Sequence, residues 1–391
     1  MRTTALIACA AAVLGGLLGV VLGDAAGLGD DGTTVIASQP PRTIQNDTLT
    51  QPLAGNSFDP AALYAGRASG VVTLYADLGD DGQSQGSGFV VDARGTILTN
   101  AHVITNVAVR PTDVRAARVV YVEFRDGDRV LATIVGWDLF NDLGVVRVKP
   151  ADHAVRPVPL GDSATVRVGE PVAAIGSPFG NQSSLAVGVV SATGRSIDSL
   201  TSRYSVADAI QIDAPINKGN SGGPLFDARG RVIGINAQIR SSSGTAEGVG
   251  FAIPINVARR ALEQLDRTGK VAYAYLGIST QDVTPGLAKR FGIDASHGAL
   301  VASVEAGTPA EKAGIQGGNQ SESYNGLEVT FGGDVIVSIA GLPVRSSGDV
   351  SRIVTERLQP GTSVQVVVLR DGTVRRSVRV TLGERPLAPT D

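Results

Sequence analysis

The chain has 391 residues, a formal net charge of −3, 18% charged residues and 43% hydrophobic residues. That length allows two or three domains, the composition is globular and loop-rich rather than disordered, and the near-neutral charge gives no basis for a nucleic-acid partner. The lone cysteine, Cys9, excludes a disulfide framework and a cysteine-based metal site, and any histidine chemistry must use His102, His153 or His297.

Arg2 precedes an apolar run from Ala5 to Gly23, with small residues at Gly23, Ala25 and Ala26. A short basic start before a hydrophobic core reads as an export signal, residues 1–26, placing the remainder outside the cytoplasm. The run is also close to a bilayer-spanning length, so an uncleaved membrane anchor is the competing view. Residues 27–66, rich in Gly, Asp, Thr, Pro and Gln, have no sustained apolar period and read as a flexible linker.

From Val71 the pattern changes to short apolar runs separated by turns such as Asp80-Asp81-Gly82, Arg94-Gly95, Asp126-Gly127 and Arg229-Gly230. The spacing predicts strands at 71–76, 88–91, 96–99, 119–124, 130–137, 143–148, 172–175, 185–190, 209–212, 232–239 and 249–253. So many short strands without alternating helices argue for an all-β barrel or a pair of barrels. Val257, Ala261 and Leu265, with Ala258 and Leu262, then recur at helical spacing, and Gly269 supplies a stop. That helix closes a domain spanning 67–270. Residues 271–385 read as a small mixed α/β module, with strands at 299–304, 334–339 and 364–370, a short helix at 309–313 and a helix near 349–358.

The chemistry concentrates in Gly219-Asn220-Ser221-Gly222-Gly223-Pro224-Leu225. Glycines permit backbone angles closed to other residues, so amides can converge beside the Ser221 hydroxyl. An attacking oxygen beside convergent amide donors is what acyl transfer requires. Taken alone, the heptapeptide is equally a glycine-rich hairpin loop. His102, in Thr99-Asn100-Ala101-His102-Val103, follows a strand and has the ordinary pKa of a general base. Asp142, in Asn141-Asp142-Leu143, stands at the entrance to an apolar strand, where a carboxylate can orient a histidine; Asp138 is the nearest rival. Taken alone, His102 is a surface histidine and Asp142 a strand cap. The order His, Asp, Ser in an all-β region is that of the chymotrypsin-type triad. His153 and His297 have no comparable setting.

With these residues in place, the chain resembles the HtrA-type (high-temperature-requirement) serine proteases from about Ser69 to Gly383. The matching segments are Gly86-Ser87-Gly88-Phe89-Val90, the motifs around His102 and Asp142, Asp213-Ala214-Pro215-Ile216-Asn217 leading into the serine turn, and Gly248-Val249-Gly250-Phe251-Ala252-Ile253-Pro254. The resemblance implies a mostly β fold: a chymotrypsin-like double β-barrel followed by a small α/β PDZ domain. It makes Ser221 the nucleophile, His102 the general base and then acid, and Asp142 the orienting carboxylate. Gly219, Asn220 and Ser221 would form the oxyanion hole. Ile235, Asn236 and Ala237 would pair with the substrate backbone, and Tyr275, Leu276, Gly277 and Ile278 would form the PDZ carboxylate loop.

The resemblance further implies an extracytoplasmic endopeptidase of protein quality control and stress response. It would act on unfolded polypeptides, take peptide C-termini at the PDZ domain and assemble as a homo-oligomer such as a trimer; the sequence itself carries no metal cluster, phosphate loop or nucleotide fingerprint, so no cofactor or metal is expected. The Ser-rich stretch Arg195–Ala207 would be its sensor loop. The absence of charge in Ala214–Asn217 predicts small or medium aliphatic residues before the scissile bond. Lys218 stands where the family commonly has proline, and Gly317–Gly333 reads as an insertion in a surface loop. The other classes in view are a chaperone or scaffold with a dormant barrel and a narrow-specificity regulatory protease.

Overall fold

Short β-branched runs punctuated by Gly, Asp and Arg turns close on themselves twice. In the computed structural model, which describes residues 58–176, 184–199, 201–202, 204–216, 219–237 and 249–387, these runs form two closed six-stranded barrels. The first contains β1 (Val71–Asp77), β2 (Gln83–Val90), β3 (Thr96–Thr99), β4 (Val119–Glu123), β5 (Arg129–Asp138) and β6 (Leu143–Arg147), in the order β1-β2-β3-β6-β5-β4. The second contains β7 (Pro171–Gly176), β8 (Ser184–Asp198), β9 (Ser205–Ile212), β10 (Pro224–Asp227), β11 (Val232–Ala237) and β12 (Gly250–Pro254), in the order β10-β11-β12-β9-β8-β7. Closure leaves no unpaired strand edge around either wall.

Inward-facing side chains fill both barrels, and a third apolar cluster joins them, drawing Phe89, Leu98, Leu143 and Val145 from the first and Ile175, Phe226, Ile235 and Ile253 from the second. The helices of this part are α1 (Pro60–Arg67), α2 (Ala101–Ile104) and α3 (Ile255–Thr268). Helix α3 lays Ile255, Val257, Ala258, Ala261 and Leu265 into the shared cluster, and Gly269, left-handed at φ 69°, donates its amide to Leu265 O and ends the helix. Burying one such leucine contributes about 2 kcal/mol. Gly136 permits this approach: a Cβ there would stand 2.6 Å from the Leu265 methyl. Helix α1 begins inside the stretch expected to be linker, with the Asp59 side chain accepting from Ala62 N and Pro60 in its first turn.

The C-terminal part is built on a sheet ordered β14-β15-β18-β20-β21: β14 (Ile278–Val283), β15 (Gly298–Val304), β18 (Val335–Ile339), β20 (Ser363–Arg370) and β21 (Val374–Thr381). Strand β19 (Leu342–Pro343) adds to β18, and β13 (Ala274–Tyr275) pairs with β22 (Gly383–Glu384). Around the sheet stand α4 (Pro285–Phe291), α5 (Pro309–Lys312) and α6 (Ser347–Arg352), the last continued by a wider π turn over Ile353–Arg357. The stretch expected as a surface loop, 317–333, is instead a hairpin of β16 (Gln320–Tyr324) and β17 (Leu327–Phe331). Phe331 stacks on Phe291 at 4.6 Å, and Arg290 pairs with Glu322, anchoring the hairpin on α4.

Several expected strands are longer than their apolar runs, β9 among them, which begins at Ser205. Strand β2 begins at Gln83 and β8 continues to Asp198, because backbone pairing persists where side chains turn polar. Strand β10 was not foreseen; its four residues follow directly on the serine turn. The apolar run 1–26 and the linker before residue 58 lie outside the described residues. Among the described residues, no helix is long and apolar enough to cross a membrane.

Candidate active site

His102 lies on α2, the single helical turn that follows β3. Its Nδ1 is 2.7 Å from Asp142 Oδ2, and its backbone amide donates to Asp142 Oδ1 at 3.0 Å, so both carboxylate oxygens are committed to one residue. Asp142 is left-handed at φ 51°. That conformation is uncommon outside glycine, and the surroundings enforce it: Asp142 O accepts from Asn100 Nδ2 at 2.8 Å and from Ala101 N at 3.2 Å. Asn100 is fully buried. Burial of the ring pulls the His102 pKa down, but the charge of Asp142 and the hydrogen bond outweigh it and leave the pKa above that of an ordinary histidine.

Asp138, the rival carboxylate, faces elsewhere. It accepts from Phe140 N at 2.9 Å, from Asn141 Nδ2 at 2.8 Å and from the Tyr273 hydroxyl at 2.6 Å. It is 2% exposed, and burial pushes its carboxyl up despite these three donors. His153 stacks on Phe124 and reaches Asp126, and His297 pairs with its neighbour Ser296; neither takes part in the site.

Ser221 reaches the same region from the second barrel. Gly219 and Gly222 have φ of 99° and 83°, angles that let the chain reverse around the serine. The turn is pinned by backbone bonds: Ser87 N donates to Ser221 O at 2.8 Å, Gly222 N to Asn236 O at 2.9 Å and Asn236 N to Gly223 O at 2.8 Å. The Ser87 hydroxyl donates to Gly219 O at 2.5 Å, while Thr99 Oγ1 donates to Ser87 O at 2.7 Å. A Cβ on Gly222 would press on Thr99 Oγ1 at 2.5 Å and on Asn100 N at 3.0 Å, so this turn packs against the strand end that leads into His102. The Ser221 hydroxyl is buried and, among the described residues, has no hydrogen-bond partner, and neither has Asn220 Oδ1.

The expected substrate strand requires a correction. Ile235 and Ala237 are in register with Ile253 and Phe251 of β12, and the backbone amide and carbonyl of Asn236 are taken by the serine turn. Ile235, Asn236 and Ala237 are therefore barrel residues rather than the open edge. Gln238, Asn217 and Lys218 lie outside the described residues.

In the C-terminal sheet, Leu276 O accepts from Ala310 N, and Gly277, at φ 81°, accepts from Glu305 N. Ile278 opens the outer strand β14, and Tyr275 donates its hydroxyl to Glu305. The carbonyls of Leu276 and Gly277 in the loop 275–278 are therefore already paired. Asn100 and Ser87 lay within quoted motifs but were given no role of their own, Asp138 was named only as the rival carboxylate, and Tyr273 was not singled out, because nothing in one dimension links it to Asp138. Among the described residues, no group of three or more Asp, Glu, His or Cys side chains is placed to hold a metal ion.

Two closed barrels with His102, Asp142 and Ser221 at their junction, followed by a small mixed sheet, define a chymotrypsin-like architecture with an appended α/β module. Family profiles agree: a trypsin-like peptidase domain matches residues 86–235 and a PDZ domain residues 274–382. The chain is 40% identical over 306 residues to a probable periplasmic serine endoprotease, DegP-like, of Ectopseudomonas mendocina (strain ymp), covering 78% of this chain and 58% of that protein. The namesake from Hahella chejuensis (strain KCTC 2396) gives the same figures. The chain thus spans somewhat over half the length of the curated relatives it matches. Among solved structures, the HtrA-type protease AlgW with tripeptide superposes with a TM-score of 0.69 at 33% identity, over 84% of this chain and 98% of that one. The serine endoprotease from Yersinia pestis gives 0.60 at 30% identity, with the same coverage. The chain belongs to the HtrA-type protease family.

Proposed function

We propose that this chain is an extracytoplasmic serine endopeptidase that cleaves unfolded or damaged polypeptides through Ser221, His102 and Asp142. The observation that carries the reading is the double engagement of His102 by Asp142, at 2.7 and 3.0 Å, beside a glycine-flanked serine turn. In this reading, Ser221 Oγ attacks the scissile carbonyl while His102 Nε2 takes its proton. Asp142 holds the ring and stabilises the imidazolium. The oxyanion of the tetrahedral intermediate accepts from the amides of Gly219 and Ser221, with Asn220 between them. Collapse expels the amine, protonated by His102, and leaves an acyl-enzyme, which water hydrolyses by the reverse sequence.

The pocket for the residue before the scissile bond draws on Ala214, Ile216 and Gly250, none of them charged. A Cβ on Gly250 would stand 2.7 Å from the Ile216 side chain, so larger residues there would fill the pocket. Small or medium aliphatic residues are therefore preferred. The substrate backbone adds from Gln238 onward.

Residues 1–26 form the export signal or anchor, 27 to about 57 the tether, the barrels extend to 270, and 271–385 form the PDZ domain. Peptide C-termini bind along β14 with the Tyr275–Ile278 loop, and the segment around Arg195–Ala207 couples that occupancy to the serine turn. The chain works as a homo-oligomer, of trimers or multiples of them, in quality control. A second reading, a chaperone with a dormant barrel, is favoured by one observation: the Ser221 hydroxyl has no partner among the described residues. Following cleavage of an unfolded protein and suppression of its aggregation in parallel, by the chain and its Ser221→Ala variant, separates the two. Cleavage by the unmodified chain alone supports the protease; aggregation suppression by both without cleavage supports the chaperone.

A further inference from the structure

The turn Asp138–Asp142, which ends in the orienting carboxylate, is gripped from outside its own barrel at three points. Tyr273, on the segment between α3 and β13, donates its hydroxyl to Asp138 Oδ2 and accepts from Asn141 Nδ2, both at under 3 Å (2.6 and 2.8 Å). Thr201, from the β8–β9 connection, donates to Leu139 O at 2.5 Å. Arg385, just after β22, lies over the rings of Phe140 at 5.3 Å and Tyr204 at 3.7 Å, and its amide donates to Tyr273 O at 2.9 Å. Phe140 meets Tyr273 edge-on at 5.5 Å.

The bonds form a closed triangle of Asp138, Asn141 and Tyr273, and Tyr273 is 3% exposed. Asn141 is the residue immediately before Asp142, whose φ of 51° is left-handed, a conformation uncommon outside glycine though better tolerated by Asp than by most residues. A residue held off its preferred backbone well needs neighbours that over-determine it. Asn100 and Ala101 supply that restraint on the His102 side; the triangle supplies it on the opposite side. The charged groups around the triangle are Arg385 from the end of the PDZ segment, Arg260 from α3, and Glu356 from the π turn, which pairs with Arg260 at 3.2 Å. These line a small polar cavity of about 20 Å³ beside Asn141 and Tyr273.

We propose that Tyr273 is a positioning residue for Asp142, acting through Asp138 and Asn141, so that the catalytic carboxylate is held in place by the segment joining the barrels to the PDZ domain. The proposal rests on the reading of Asp142 as the carboxylate that orients His102. It makes docking of the PDZ segment, through the β13–β22 pair and Arg385, a structural condition for a competent His–Asp pair. The Tyr273 contact comes from outside Arg195–Ala207, while Thr201 and Tyr204 of that stretch touch the same turn.

The test uses the full chain and a fluorogenic peptide with an aliphatic residue before the scissile bond. Tyr273→Phe keeps the ring and removes only the hydroxyl. Its expected effect is a fall in kcat of roughly tenfold with KM nearly unchanged, as for a misplaced catalytic group. The acid limb of the kcat/KM profile should also move to lower pH, because His102 loses part of the carboxylate contact that raises its pKa. A variant with unchanged kcat and limb, or with only KM or melting temperature altered, overturns the proposal. If Tyr273→Phe does not fold, Asn141→Ala opens the triangle from its other corner. The same kcat loss and limb shift are expected there, and their absence is contradictory. Fluorophosphonate labelling of the wild-type chain keeps two failures apart. A wild-type chain that is not labelled at Ser221 overturns both the protease reading and this proposal. A labelled wild type beside a Tyr273→Phe variant with unaltered rate and limb overturns this proposal alone.

Discussion

The two halves of the candidate site are built by different means. The first-barrel half is held by side chains: Asp142 is bound to His102 twice and its carbonyl is gripped by Asn100. The second-barrel half is held by backbone: glycines at positive φ and amide–carbonyl bonds to Ser87, Asn236 and Gly223 shape the turn, and the Ser221 hydroxyl itself has no partner among the described residues. A side-chain lattice fixes one orientation at the cost of many buried polar groups. A glycine turn fixes a path and leaves its one functional hydroxyl free to be engaged. If the proposed roles hold, the comparison teaches that the base is poised before substrate arrives, while the nucleophile is the half left to be brought into line.

The sharpest way to break this asymmetry is Ser221→Ala, which should lower kcat by roughly 10⁶ while leaving the fold intact. A fluorogenic peptide assay with a melting curve beside it checks both parts. Next comes Asp142→Asn, expected to cost roughly 10⁴ in kcat by leaving His102 in the wrong tautomer, with peptide KM little changed. Gly222→Ala strikes the other half through backbone. A Cβ there meets Ser87 O and Thr99 Oγ1, and a non-glycine residue at φ 83° is strained, so a stability loss of about 2 kcal/mol is expected in urea unfolding. Rotation of the turn should abolish labelling at Ser221 as well.

Smaller effects sharpen the comparison through pH. In the proposed mechanism His102 acts as base only when neutral, and Asp142 raises its pKa above the ordinary 6.5. The acid limb of kcat/KM should therefore lie above 6.5, with activity rising as pH increases through it. The linked stability has the opposite sign: a raised pKa in the folded state means that the His102–Asp142 contribution is complete below 6.5 and declines as pH rises through the folded value. In Asp142→Asn both features should move toward ordinary histidine behaviour. Arg385→Ala, which removes a cation from two aromatic rings at the edge of the carboxylate turn, should cost only about 1 kcal/mol of stability.

Much of this was legible in the sequence, for identifiable reasons. Turn residues bracketed the barrel strands, and α3 was visible from its apolar spacing and Gly269. His102, Asp142 and Ser221 were recognisable because each sits in a short segment with its own local signal. What was missed depends on distance along the chain or on pairing. Tyr273 and Asp138 are 135 residues apart. Asn100 and Ser87 act through buried contacts that no periodicity encodes, and β10 is only four residues long. Ile235, Asn236 and Ala237 looked like an open edge because a strand's sequence does not state which side is already paired. Helix α1 did carry a signal, Asp59 followed by Pro60, within a stretch otherwise poor in apolar period. The 317–333 hairpin was hidden because its strands alternate polar residues, and only Tyr324, Val329 and Phe331 pack inward.

The most direct test of the central claim is to treat the full chain with a fluorophosphonate, which reacts with an activated serine hydroxyl, and to locate the adduct by peptide mass mapping. The account expects one adduct, on the peptide containing Ser221, formed quickly by the unmodified chain and much more slowly by Asp142→Asn. Cleavage of an unfolded protein with no adduct at Ser221, or with equal labelling in Asp142→Asn, would contradict it.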